Sequence, residues 1–79
     1  MNRDELIDTL SSFVRKALAN PEADIIPDAS FVDLGLNSSG LLELFFMIEE
    51  KWDLTLDEDD TDELKTFNDV VTLMERLLA

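Results

Sequence analysis

Neither cysteine nor histidine occurs anywhere in this chain of 79 residues, and that absence constrains its fold more than any other feature. Domains this small bury a modest share of their surface and commonly lean on disulfides or bound metals. Here the disulfide-stapled secreted scaffold and the thiolate zinc site drop out, so apolar packing has to hold the chain alone. Helices, whose backbone hydrogen bonds close locally, are the simplest way to do that. The length leaves room for one core, which implies one domain over residues 1–79.

The apolar pattern agrees. Leu6, Leu10, Phe13, Val14, Ala17 and Leu18 fall at helical intervals, with Asp4 and Glu5 in the first turn and Arg15 and Lys16 near the last. Asn20-Pro21 closes this first helix, because proline disfavours helical geometry in the residue before it. The connection from Pro21 to Asn37 holds Pro27 and Gly35 but also Ile25, Ile26, Phe31, Val32, Leu34 and Leu36, which predicts a packed loop. A second helix is predicted over Ser38–Trp52, opened by the capping residues Asn37, Ser38 and Ser39. Asp57–Glu63 reads as one or two acidic turns ending near Leu64. Thr66-Phe67-Asn68-Asp69 resembles a capping box and introduces a last helix carrying Phe67, Val70, Val71, Met74, Leu77 and Leu78. With no internal repeat and no alternation long enough for a strand, the prediction is all-α: a small four-helix bundle with a long loop after helix one and a short third helix.

Charge bounds the partners. Six Lys+Arg against 19 Asp+Glu give a net charge of −13, which repels nucleic acid and anionic membranes. Basic protein surfaces are its complement, solubility is the plainer reading, and self-repulsion argues for a monomer. Met1–Leu10 interleaves charge with apolar residues, unlike a signal peptide. The longest apolar stretch, Leu44–Ile48, is far short of the roughly 20 residues that span a bilayer. A cytoplasmic location is expected.

The second helix carries most of the functional information. Turning about 100° per residue gathers Leu41, Leu44, Phe45, Ile48 and Trp52 into one sector, the core face. Leu42 and Phe46 lie on the neighbouring face, bordered by Ser39, Glu43, Glu49 and Glu50, with Ser38 at the top. An apolar stripe in an acidic frame marks a protein-binding surface if exposed. By itself, a serine at a helix start such as Ser38 is usually a cap; the alternative is a hydroxyl that carries a phosphodiester, which the free N–H groups there also accommodate.

The run Asp33–Asp53, with Leu34-Gly35-Leu36-Asn37-Ser38-Ser39 at its head and Glu49-Glu50-Lys51-Trp52 at its end, resembles the signature of the acyl carrier protein family. There Leu-Gly-x-Asp-Ser-Leu opens a helix that closes in Glu-Glu-x-Phe. The similarity continues without a gap through Leu54–Asp69, like the family's acidic third helix and its Thr-Val-x-Asp entry to the fourth. The resemblance implies that a phosphopantetheinyl transferase attaches 4′-phosphopantetheine to Ser38, next to Asn37, and that the arm's thiol holds an acyl or aminoacyl thioester. It implies a non-enzymatic carrier in fatty acid or polyketide biosynthesis or a related pathway. Acyl or aminoacyl ligases, transferases or condensing enzymes would dock their basic patches on Ser39, Leu42, Glu43, Phe46, Glu49 and Glu50. A chain without His or Cys lacks the usual base and nucleophile of acyl transfer, consistent with an imported thiol.

Four departures from the family pattern carry expectations. Asn37 stands where Asp is usual and removes a carboxylate from beside the attachment serine. Ser39 and Gly40 replace the usual Leu and an acidic residue, which favours dedicated partners in a specialised pathway. Phe45 is larger than the usual aliphatic residue, so cargo is expected to be short, aminoacyl or left in solvent.

Two rival readings are weaker. Asp57, Asp59 and Thr61 alternate like an EF-hand loop, but Asp62 stands where that loop needs Gly and Asn68 where it needs Glu. No metal is expected. An acidic interaction module, unmodified or mimicking nucleic acid, fits the charge equally well; it does not predict a serine heading an apolar–acidic helix.

Overall fold

The computed structural model describes residues 2–79 and arranges them in five helices. These are α1 (Arg3–Leu18), α2 (Phe31–Leu34), α3 (Ser38–Trp52), α4 (Glu58–Thr61) and α5 (Phe67–Leu77). The fold is all-α as expected, and among the described residues the only extended pairing is an isolated bridge between Ser30 and Thr66.

Caps set the helix limits. Asn2 accepts the Glu5 amide at 2.8 Å to open α1. Ala19 ends it in left-handed geometry at φ 54°, donating its amide to the Lys16 carbonyl. The long connection differs from the expected loop by one turn. Ser30 accepts the Asp33 amide at 3.1 Å to start α2, and Gly35, at φ 95°, ends it. Four residues are too few to show a helical period, so their apolar content registered and their conformation did not.

Polar clips bind that connection to its surroundings. Arg15 Nε donates to the Ala23 carbonyl at 3.0 Å. Further along, Asn68 donates its amide to the Pro27 carbonyl at 2.9 Å and its side-chain Nδ2 to Asp28 at 2.6 Å. Phe31 donates to the Lys65 carbonyl at 3.2 Å. Arg3 contacts Asn68 and Glu75, bringing the start of α1 onto α5.

At the head of α5 the capping box forms in full. Thr66 Oγ1 accepts the Asp69 amide at 3.2 Å, and Asp69 Oδ2 accepts the amides of Thr66 at 3.0 Å and Lys65 at 2.9 Å. The Lys65 amide, then the Thr66 amide, hold the Asp69 carboxyl below its ordinary value.

α1 packs on both α3 and α5. Leu6, Leu10 and Val14 present one buried face of α1 to Leu44 and Ile48 of α3 and to Phe67, Val70, Val71 and Met74 of α5. Phe31 and Leu36 plug the same core from the connection. Burying each such side chain stabilises by roughly 1.5–3 kcal/mol.

Candidate functional site

The chain turns into α3 at Asn37. Its backbone is extended at φ −96°, and its side-chain Oδ1 accepts the Gly40 amide at 2.8 Å, while its carbonyl takes the Leu41 amide at 2.9 Å. Asn37 is therefore the N-cap, the role its chemistry favours. Ser38 follows as the first helical residue and is exposed, as is Ser39.

The electrostatics of this end are unlike those of the other helix starts. Acidic side chains sit in the first turns of α1, α2, α4 and α5, but α3 has none there. Asn37 occupies the Gly40 amide, leaving the amides of Ser38 and Ser39 among the orphan donors of the first turn. An anionic phosphodiester on the Ser38 hydroxyl would meet free N–H groups and the positive end of the dipole, with no adjacent carboxylate in that turn. The residues present fit a phosphopantetheine group.

Below Ser38, α3 buries Gly40, Leu44 and Ile48, and half-buries Leu41, Phe45 and Trp52. On its outer face Leu42 is 55% and Phe46 63% exposed, large values for apolar side chains. Glu43 and Glu50 are exposed beside them, and a shallow concavity of about 240 Å³ is lined by Lys16, Glu43, Phe46, Met47 and Glu50. Ser38, Ser39, Leu42, Glu43, Phe46 and Glu50 thus share one open side of a single rigid helix.

Glu49 differs from its neighbours. It is half-buried, and its Oε2 accepts the Leu56 amide at 2.9 Å, tying the segment after α3 back to the helix. One carboxylate oxygen of the expected rim is thereby committed within the fold. The residues of the rejected EF-hand pattern make a helix start instead, with Asp57 as the N-cap of α4.

Two residues matter more than their sequence context suggested. Gly40 is buried, and a Cβ placed on it would lie 2.8 Å from Leu36 Cδ2. Leu36, only 5% exposed, therefore rests directly on the first turn of α3. From the sequence Gly40 read only as a missing acidic residue, since the approach of a side chain four positions earlier depends on how the connection folds.

Comparison with known proteins bears on the family and the fold. The family model described as "Phosphopantetheine attachment site" matches residues 8–74. An acyl carrier protein of Exiguobacterium sibiricum is 30% identical over 76 residues, covering 95% of this chain and 96% of that protein. Another, from Borreliella burgdorferi strain B31, is 31% identical over 77 residues, with 96% of both chains covered. A third, from Desulforapulum autotrophicum, is 45% identical over 49 residues, 61% of this chain and 64% of that protein. A solved structure from Mycobacterium tuberculosis, assigned provisionally as an acyl carrier protein, superposes with a TM-score of 0.83 at 23% identity, covering 91% of this chain and 97% of that one. At that identity the likeness is one of fold.

Proposed function

Since the chain belongs to the acyl carrier protein family, whose members hold a covalent 4′-phosphopantetheine, we propose that Ser38 is its attachment point. Such a protein is a carrier and not an enzyme. The bound group supplies the thiol on which a thioester forms. The chain's own residues do the rest: Asn37 fixes the first turn of α3, the Ser38 hydroxyl stands in solvent, and the free amides at the helix start offset the phosphodiester charge. The observation that carries the assignment is this exposed hydroxyl on the first residue of α3, at the head of the Leu42–Phe46 strip.

Ser39, Leu42, Glu43, Phe46 and Glu50, with the remaining oxygen of Glu49, form the docking strip. Its acidic members would guide basic patches on the transferase and on loading and consuming enzymes, giving on-rate and selectivity more than tight binding. That suits a carrier that has to release each partner. The whole of residues 1–79 acts as one carrier domain and, at a net charge of −13, as a monomer.

The departures at Ser39 and Gly40 support service in a specialised pathway with dedicated partners. Phe45, packed against the core from α3, supports a cargo that is short, aminoacyl or held in solvent. NMR titration checks this: loading a long acyl chain should leave the Phe45 and Ile48 signals in place, and large shifts there would contradict it.

Incubation with coenzyme A and a broad-range phosphopantetheinyl transferase tests the attachment itself. Intact mass should rise by one phosphopantetheine in the native chain and stay unchanged in Ser38→Ala. Recovery of unmodified native protein after treatment with several competent transferases would overturn the reading in favour of an acidic interaction module.

A further inference from the structure

A cation faces the acidic strip of α3 from the neighbouring helix. Lys16, exposed in the last turn of α1, lines the shallow concavity of about 240 Å³ whose other walls are Glu43, Phe46, Met47 and Glu50. It also borders an adjoining concavity of about 340 Å³, formed with Phe13, Met47, Glu50 and Lys51. Lys16, Met47 and Glu50 belong to both, so the two hollows are neighbouring stretches of one groove between α1 and α3. The apolar strip therefore runs on from Phe46 over half-buried Met47 and meets a lysine on the next helix.

No ion pair within the fold claims this lysine. Among the described residues the ion pairs are Arg3–Glu75 and Arg76–Asp60. Arg15, one position earlier, already complements the dipole at this end of α1 and is held by its bond from Nε to the Ala23 carbonyl. An acidic strip alone would accept a wholly basic patch in several registers, because attraction between uniform surfaces does not fix their alignment. A positive charge beside Phe46 removes that freedom: it repels a partner cation that reaches α1 and attracts a carboxylate in its place.

We propose that Lys16 is a specificity-determining residue of the docking surface, selecting partner enzymes that present an apolar side chain to Phe46 and Met47, basic groups to Glu43 and Glu50, and a carboxylate to Lys16. The inference rests on the α3 strip being the docking surface of a carrier. The order of charge across the groove, basic over α3 and acidic over α1, separates a dedicated enzyme from one with a uniformly basic face. At 0.1 M salt the screening length is about 10 Å, so the selection is made at the contact itself and not by the net charge of −13.

The test uses a broad-range phosphopantetheinyl transferase with a uniformly basic docking face as the probe. Its docking-face Lys and Arg residues are reversed to Glu one at a time, and kcat/KM is measured with the native apo chain, Lys16→Glu, Lys16→Gln and Lys65→Glu, with thermal midpoints alongside. Lys65 precedes α5 and lines neither hollow, so Lys65→Glu makes the same change in net charge away from the groove. With the unaltered transferase, Lys16→Glu should raise kcat/KM about threefold or more, Lys16→Gln less, and Lys65→Glu hardly at all. At one transferase position the reversal should invert the order, so that the native chain becomes the better substrate by about threefold or more. Both effects should fade at 1 M salt, where the screening length is about 3 Å. If Lys16→Glu does not fold, the same comparisons are read from Lys16→Gln. A Lys16→Glu chain that behaves like Lys65→Glu, or an order that no reversal inverts, overturns the inference. Failure of the native chain to accept the group at all would count instead against the carrier reading, which keeps the two claims distinct.

Discussion

The ring of Phe13 meets that of Trp52 edge to face, with centroids 6.1 Å apart and planes at 65°, joining the C-terminal part of α1 to the last turn of α3. Edge-to-face pairs add about 0.5–1.5 kcal/mol to the burial of the rings themselves. Because Phe13 is half-buried, Phe13→Ala should destabilise by about 2 kcal/mol, less than a fully buried ring. The melting midpoint should fall by about 10 °C for a domain of this size. Trp52 is the single tryptophan, and its emission should shift to the red as the partner ring is removed.

Asp69 makes a pH prediction with a definite sign. The amides of Lys65 and Thr66 bond to its ionised form, so its folded pKa lies below the ordinary 3.8. Such a group contributes stability that is fully present above the unfolded value and lost as pH falls through the folded one. The stability difference between the native chain and Asp69→Asn should therefore be flat above roughly pH 5 and shrink progressively below about pH 4. Urea unfolding of both proteins across that range provides the check; a difference that grows on acidification would contradict it.

Asn37→Asp separates capping from transferase recognition. Aspartate caps as well as asparagine, so the fold is retained, and one added carboxylate at a helix start contributes about 0.3–1 kcal/mol. If the transferase reads charge beside Ser38, its kcat/KM should rise up to about fivefold, the kinetic equivalent of about 1 kcal/mol. Asn37→Ala should instead lose about 1 kcal/mol of stability with the cap.

Phe46→Ala tests the docking strip. At 63% exposure, its removal should change stability by no more than about 0.5 kcal/mol. The transferase KM for the apo chain should rise about tenfold if Phe46 anchors the contact.

Salt should stabilise the protein. Carboxylates exceed cations by 13, and among the described residues only the Arg3–Glu75 and Arg76–Asp60 ion pairs form. Raising ionic strength from 0.01 to 0.1 M shortens the screening length from about 30 to about 10 Å and weakens the net repulsion. The melting midpoint should climb over that interval, and a fall would mean that the ion pairs outweigh the repulsion.

The long helices and the position of Ser38 at a helix start were legible from local sequence, because those depend on information a few residues wide. Leu6, Leu10 and Val14 repeat at the helical period, Asn37 caps Gly40 three residues on, and Thr66 and Asp69 close a capping box over the same span. The limits of α3 emerged as expected, at Ser38 and Trp52. Tertiary structure decided what distance along the chain hides. The fold bends the Leu56 amide back onto Glu49, sets Asn68 against Pro27 and Asp28, and lowers Leu36 onto Gly40. None of these has a periodic signature, since each depends on where an irregular connection packs against a helix, and only the assembled core fixes that.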